Sequence, residues 1–108
     1  MIADVEPASL AAWRRDAGRE SPIVLDVREP WEVALCRIDD SIAVPLQALP
    51  QAIDRLPRDR DIVVVCHHGV RSAHAAQWLA RAGFARVHNL RGGIAAWADK
   101  VEPSMPRY

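Results

Sequence analysis

The hydrophobic positions of this chain follow two patterns. Unbroken apolar runs occur at Ile23–Leu25 and Ile62–Val65, and such runs are typical of strands that are buried on both faces of a sheet. Elsewhere apolar residues recur at helical spacing, as in Leu10, Ala11 and Trp13, which is the pattern of a helix with one buried face. The chain is therefore expected to alternate strands with helices.

The order of these segments predicts an α/β fold. Strands that alternate with helices pair in parallel, and the helices cover both faces of the sheet. The predicted strands are Ile2–Val5, Ile23–Leu25, Ile42–Val44, Ile62–Val65 and Phe84–Leu90. Helices are predicted from Pro7 to Gly18, from Glu29 or Pro30 to Leu35, in interrupted turns over 46–56, from Ser72 to Gly83, and after Gly92–Gly93. The glycine pair permits a tight turn before the last helix.

The bulk composition describes one ordinary globular domain. The chain has 108 residues, half of them hydrophobic, with 14 positively and 14 negatively charged side chains. Balanced charge gives no attraction for nucleic acid or an anionic membrane surface, and no apolar stretch approaches the ~20 residues of a membrane span. We expect a single domain over residues 1–101, a tail over 102–108, and no nucleic-acid or membrane partner. The N-terminus lacks the pattern of a signal peptide, which predicts a cytoplasmic location.

Cys66 lies at a junction that favours covalent chemistry. It follows the run Ile62–Val65 and precedes a short polar loop, 67–71, after which a helical pattern opens at Ser72. The first N–H groups of a helix have no partner inside it and, with the helix dipole, attract an anion. Helix N-termini and nearby cations also favour the thiolate form of a cysteine. An inert buried cysteine is the alternative, but the loop predicts a nucleophile in a pocket for a small anionic substrate.

Charged side chains near the strand ends are the predicted supporting residues. Asp26, Arg28 and Glu32 end or follow the second strand, and charged groups in such positions often form an internal network. Arg71 lies in the polar loop, and its planar guanidinium suits an oxyanion. Trp31 is expected either to line the pocket or to pack on the second helix.

The two cysteines indicate neither a disulfide framework nor a metal centre. Cys36 and Cys66 are too few for a disulfide-rich domain, and they lack the spacing of metal ligands. His67 and His68 are adjacent, so their rings are expected to point in different directions and not to share a metal with Cys66. We expect no metal and no dissociable cofactor. Cys36 is either a packed cysteine at a helix end or a resolving thiol.

Three segments together resemble the signatures of the rhodanese family. Leu25–Glu32 is similar to the family's first signature, Val63–Ser72 resembles its active-site loop, and Leu90–Ile94 resembles its closing signature. The match covers nearly the whole chain, and the combination is far more specific than any one segment. The chain therefore resembles a single-domain rhodanese.

This resemblance implies a five-stranded parallel sheet wrapped by helices, and sulfurtransferase chemistry in two steps. Cys66 takes the outer sulfur of a donor such as thiosulfate, becomes a persulfide and releases sulfite. A thiol, cyanide or an acceptor protein then removes that sulfur. The main-chain N–H groups of the loop hold the charge of the persulfide. The implied substrate-binding residues are His67, His68, Gly69, Val70, Arg71 and Ser72.

The stretch before the third strand departs from the family pattern. The family usually has Gly-His-Ile-Pro-Gly-Ala before an Ile-Pro, whereas this chain has Cys36–Ser41 and then Ile42–Pro45. Arg37 replaces the usual histidine, and Cys36 and Asp40 replace two glycines. The identity of the donor therefore stays open.

Loop spacing separates sulfur transfer from phosphoryl or arsenate chemistry. Related cysteine phosphatases place five residues between the cysteine and an Arg-Ser pair, whereas four residues separate Cys66 from Arg71. The shorter loop encloses a smaller bowl, which suits one sulfur atom better than a tetrahedral phosphate or arsenate. A persulfide carrier that serves a partner protein is the alternative within the same chemistry. A non-catalytic interaction module is a further alternative, and the presence of the nucleophile argues against it.

Overall fold

The computed structural model describes residues 2–108, and one parallel sheet forms its centre. The strands are β1 Ala3–Val5, β2 Ile23–Asp26, β3 Ile42–Ala43, β4 Ile62–Val65 and β5 Val87–Leu90. They lie in the order β1-β5-β4-β2-β3, and every neighbouring pair is parallel. The predicted five-stranded parallel sheet is confirmed.

Helices connect the strands. They are α1 Pro7–Arg15, α2 Pro30–Leu35, α3 Leu49–Ala52, α4 Val70–Arg81 and α5 Gly93–Lys100, with 3₁₀ turns at Leu46–Ala48 and Ile53–Arg55. Within residues 2–108, none of the helices combines the length and the apolar character that crossing a membrane requires.

The residues of β4 divide between two apolar clusters. Val63 and Val65 belong to a cluster with α1 and α5, whereas Ile62 and Val64 belong to a cluster with α3 and α4. All four are buried, and full burial of such a side chain contributes about 2 kcal/mol. The unbroken apolar run is thus explained, because both faces of the strand are covered.

The position of β4 determines where the site lies. It is the middle strand of the sheet, and Val65 at its end is in register with Asp26 at the end of β2. In parallel sheets, ligands bind beyond the carboxyl ends of the strands. Cys66 therefore projects from the centre of this edge.

Several element boundaries differ from the sequence predictions. α4 begins at Val70, two residues before the expected start, because Gly69 adopts φ 105° and turns the chain early. The first helix ends at Arg15 and not at Gly18. β5 begins at Val87, since the residues just before it make the turn out of α4.

The segment 102–108, predicted as a tail, lies against the domain. It contains neither helix nor strand, yet Met105 is 6% exposed and packs in the same cluster as Trp97. The ring of Tyr108 reaches the loop that follows β4. The segment therefore forms part of the surroundings of Cys66.

Candidate active site

The loop after β4 curls around the sulfur of Cys66. Gly69 lies in the left-handed region, which residues with a Cβ adopt only with strain. This turn brings the Gly69 N–H group to the sulfur, to which it donates a hydrogen bond with an N···Sγ distance of 3.1 Å. A main-chain dipole is thus directed at the candidate nucleophile. The sulfur is also well covered, because Cys66 is only 1% exposed.

Buried polar side chains continue the contacts of the sulfur. The Ser72 hydroxyl oxygen lies 3.3 Å from Cys66 Sγ and 2.5 Å from Asn89 Oδ1. The Asn89 side-chain amide also donates to the Gly69 carbonyl, at 3.2 Å. Asn89 therefore positions both groups that contact the sulfur. Sequence reasoning missed this residue, although a polar side chain inside a buried strand is a recognisable signal.

The N-terminus of α5 fixes the backbone of the loop from another direction. The Ile94 N–H donates to the Cys66 carbonyl at 2.8 Å, and the Ala95 N–H donates to the His67 carbonyl at 3.1 Å. This close packing needs a glycine at position 93, because a Cβ on Gly93 would lie 2.4 Å from the His67 carbonyl oxygen. The start of α5 therefore holds the loop in place.

Asp26 and Arg28 form a buried ion pair at the end of β2. Arg28 is 0% exposed, and its Nη2 and Nε donate to the two Asp26 oxygens at 2.7 and 2.9 Å. Its other donors reach the carbonyl oxygens of Glu32 and Cys36. Burial alone would lower the pKa of Arg28, but the hydrogen bonds with Asp26 and Tyr108 outweigh it and raise that pKa. Arg28 is a permanent cation that joins the β2 end to α2.

Arg71 and Glu32 form a two-point ion pair across the site. Arg71 Nη1 lies 2.6 Å from Glu32 Oε1, and Nη2 lies 2.8 Å from Oε2. The hydrogen bonds from Arg71 lower the pKa of Glu32 to about 2, against the opposing effect of burial. The pair links α2 to the first turn of α4. The Arg71 side chain is 37% exposed, so it is accessible to an anion, and its predicted contact with a donor stays a prediction.

We expect the Arg71–Glu32 pair to make the free energy of unfolding depend on pH in the acid range. The pKa of Glu32 is about 2 in the folded protein, below its ordinary value of 4.5. Its contribution is therefore complete above about pH 4.5 and is lost as the pH falls toward 2. Glu32→Gln should lower the free energy of unfolding at pH 7 by about 1–2 kcal/mol, since solvent screens the exposed partner. Urea unfolding at pH 7 and pH 3 measures this, and a difference that does not shrink at pH 3 contradicts it.

The adjacent histidines stack on each other. The ring centroids of His67 and His68 are 4.0 Å apart, so the prediction that they point in different directions is wrong. Side chains alternate only along extended strands, and these residues lie in a bend. Burial, followed by the charge of His68, lowers the pKa of His67, which leaves its ring neutral at pH 7.

No three His, Cys, Asp or Glu side chains among residues 2–108 form a metal-binding group.

Two apolar side chains stand exposed beside the loop. Val70 is 67% exposed at the start of α4, and Trp31 is 62% exposed at the start of α2. Trp31 meets the ring of Tyr108 edge-on, with the ring centroids 5.8 Å apart. Sequence reasoning also missed Tyr108, since nothing in a polar terminal segment indicates which surface it covers.

Comparisons with known proteins agree with this geometry. The family model of the rhodanese-like domain matches residues 7–100. A sulfurtransferase of Allochromatium vinosum is 39% identical over 98 residues, which cover 91% of this chain and 90% of that protein. The thiosulfate sulfurtransferase GlpE of Vibrio cholerae is 31% identical over 74 residues, which cover 68% of this chain and 70% of that protein.

A solved structure and a longer relative extend the comparison. The crystal structure of a rhodanese-related protein from Thermoplasma volcanium matches with a TM-score of 0.83 at 33% identity, over 94% of this chain and 95% of that one. The protein of Mycobacterium tuberculosis named "Probable adenylyltransferase/sulfurtransferase MoeZ" is 37% identical over 96% of this chain. The chain spans 26% of that relative's length.

Proposed function

This chain belongs to the rhodanese-like domain family, and from that premise we propose that it moves a sulfane sulfur from thiosulfate or a related donor to a thiophilic acceptor through a persulfide on Cys66. The observation that carries the proposal is the Gly69 N–H aimed at Cys66 Sγ, with an N···Sγ distance of 3.1 Å. A fixed dipole stabilises negative charge on the sulfur without reorganising during the reaction.

The proposed reaction has two displacements at sulfur. First, the Cys66 thiolate attacks the outer sulfur of thiosulfate; the Sγ–S bond forms while the S–S bond of thiosulfate breaks, and the bonding pair leaves with sulfite. Second, cyanide or an acceptor thiolate attacks the outer sulfur of the persulfide. Its S–S bond breaks, and the Cys66 thiolate is regenerated. Both steps balance with the donor and the acceptor alone.

The residues around Cys66 take separate roles in this proposal. The Gly69 N–H donates to the sulfur and accommodates its charge. The Ser72 hydroxyl contacts the sulfur while it donates to Asn89, and Asn89 positions both Ser72 and Gly69. Arg71, in the first turn of α4, is an accessible cation and attracts the sulfonate end of the donor. Of the other predicted substrate-binding residues, His67 and His68 line a cleft beside the loop and Val70 is exposed at the start of α4; their contact with the donor stays a prediction.

We expect Arg71→Ala to reduce kcat/KM for thiosulfate by about tenfold or more, because a hydrogen bond to a charged group contributes about 1.5–3 kcal/mol. Arg71→Lys keeps the charge but loses the planar fork, so an intermediate loss is expected. Arg91→Ala is the matched control, since Arg91 pairs on the surface with Glu6. Steady-state kinetics with varied thiosulfate measures the effect, and an unchanged kcat/KM removes Arg71 from donor binding.

The acceptor and the reaction class are tested together. A protein acceptor is the alternative within sulfur transfer, and it is supported by the MoeZ relative, in which the matched region is one part of a longer protein named as a probable adenylyltransferase/sulfurtransferase. Rapid loading from thiosulfate with slow turnover by cyanide would favour such a carrier. Turnover of p-nitrophenyl phosphate without any turnover of thiosulfate would contradict sulfur transfer and favour a cysteine phosphatase.

A further inference from the structure

Residues 102–108, here called the strap, are fixed to the domain before they reach the active-site loop. Met105 is buried in the apolar cluster that includes α5. Arg107 donates hydrogen bonds to a main-chain carbonyl of α5 at 3.1 Å and to the Asp99 carboxylate at 3.0 Å. These contacts do not involve Tyr108, so they hold the strap independently of the position of the Tyr108 ring.

Tyr108 contacts both the loop that follows β4 and the segment that runs from the end of β2 into α2. Its ring stacks on the His67 ring, with the centroids 4.1 Å apart and the planes 13° apart. Its hydroxyl donates to Glu32 Oε2 at 2.8 Å and accepts from Arg28 Nη1 at 3.0 Å. His67 belongs to the loop that carries the nucleophile, whereas Arg28 and Glu32 belong to the β2–α2 side. The Tyr108 ring therefore spans the gap between the loop and α2.

These contacts persist at neutral pH, and the ring forms one wall of a cleft. Burial, together with the negative charge of Glu32, raises the pKa of Tyr108 to about 12 against the effect of Arg28, so the hydroxyl keeps its proton at pH 7. A cleft of about 160 Å³ lies along the strap; its walls include His67, His68, Tyr108 and Cys36, whereas Cys66 is not among its lining residues. With the ring in this position, Cys66 is 1% exposed.

We propose that Tyr108 determines the size of the sulfur acceptor that reaches Cys66, a role that rests on the proposed sulfur transfer. A small ion such as cyanide needs little displacement of the ring. A thiol carried on a larger body needs the ring to leave His67, which breaks the aromatic stack and both hydrogen bonds of the hydroxyl. The strap stays in place during this movement because Met105 and Arg107 hold it.

The first test compares acceptors of different size. Wild type, Tyr108→Ala and Tyr108→Phe are assayed with cyanide and with glutathione. Tyr108→Ala should raise the ratio of kcat/KM for glutathione to that for cyanide by about tenfold, because it removes the stack and both hydrogen bonds. Tyr108→Phe keeps the stack and should raise the ratio less. Trp78→Ala, which removes a partly exposed ring on α4 outside the strap contacts, should leave it unchanged.

The second test measures access to the sulfur without any sulfur transfer. Alkylation of Cys66 by iodoacetamide and by a fluorescein maleimide is followed by peptide mass spectrometry, which separates it from alkylation of Cys36. Tyr108→Ala should accelerate the bulky reagent about tenfold more than the small one. A purely structural role of Tyr108 would not change this ratio.

The outcomes distinguish the two proposals. If thiosulfate loads Cys66 but Tyr108→Ala changes neither ratio, sulfur transfer stands and the role of Tyr108 is overturned. If thiosulfate does not load Cys66, the proposed function fails, and the alkylation ratio alone decides whether Tyr108 controls access to the sulfur.

Discussion

Cys66→Ala is expected to abolish thiocyanate formation from thiosulfate and cyanide, a loss of about 10⁴-fold or more, because it removes the thiolate that carries the sulfur between the two displacements. The hydrogen-bond donors of the loop remain in this variant, but no persulfide can form at position 66. Steady-state thiocyanate production measures the loss directly.

Cys36→Ser is the matched control for this loss. Cys36 is also a buried free cysteine, and it contacts Arg28 at an Nη1···Sγ distance of 3.9 Å. This variant should retain thiocyanate formation if Cys36 is a packed cysteine and not a resolving thiol. Residual turnover in Cys66→Ala that disappears in the double variant would assign the chemistry to Cys36 instead.

The second large effect is expected at the buried ion pair. Asp26→Asn removes the charge that neutralises Arg28, whose side chain is 0% exposed while that of Asp26 is 1% exposed. Breaking a buried pair from one side leaves an uncompensated charge and costs about 3–5 kcal/mol. We expect the free energy of unfolding in urea to fall by about that amount. Activity should also be lost, because Arg28 then no longer joins the end of β2 to α2.

A surface pair supplies the control for this effect. Glu6 and Arg91 are 2.9 Å apart, with their side chains 56% and 65% exposed. Glu6→Gln should change the free energy of unfolding far less than Asp26→Asn does, since exposed pairs contribute little. Equal losses in Asp26→Asn and Glu6→Gln would mean that burial does not govern the strength of the inner pair.

The sheet and the position of Cys66 were predictable because local patterns encode them. The short, β-branched apolar run Ile62–Val65 favours a strand covered on both faces, and the loop after it places Cys66 at the carboxyl edge. Gly92–Gly93 also indicated a tight turn there. The structure confirms the sheet, and the close approach of Gly93 to the loop explains why that position lacks a Cβ.

The contacts among distant segments were not predictable. The sequence pattern predicts Arg71 in the loop, but nothing local indicates that both of its terminal nitrogens donate hydrogen bonds to Glu32, 39 positions away. Tyr108 reaches Glu32 across 76 positions. Such contacts depend on how the completed sheet brings its loops together, and hydrophobic periodicity carries no information about them.

The persulfide itself provides the most direct test. Intact mass spectrometry of the protein after incubation with thiosulfate, followed by peptide mapping, should detect a gain of about 32 Da, one sulfur atom, on Cys66. The gain should disappear on addition of cyanide. An unchanged mass, or a gain confined to Cys36, would contradict sulfur transfer through Cys66.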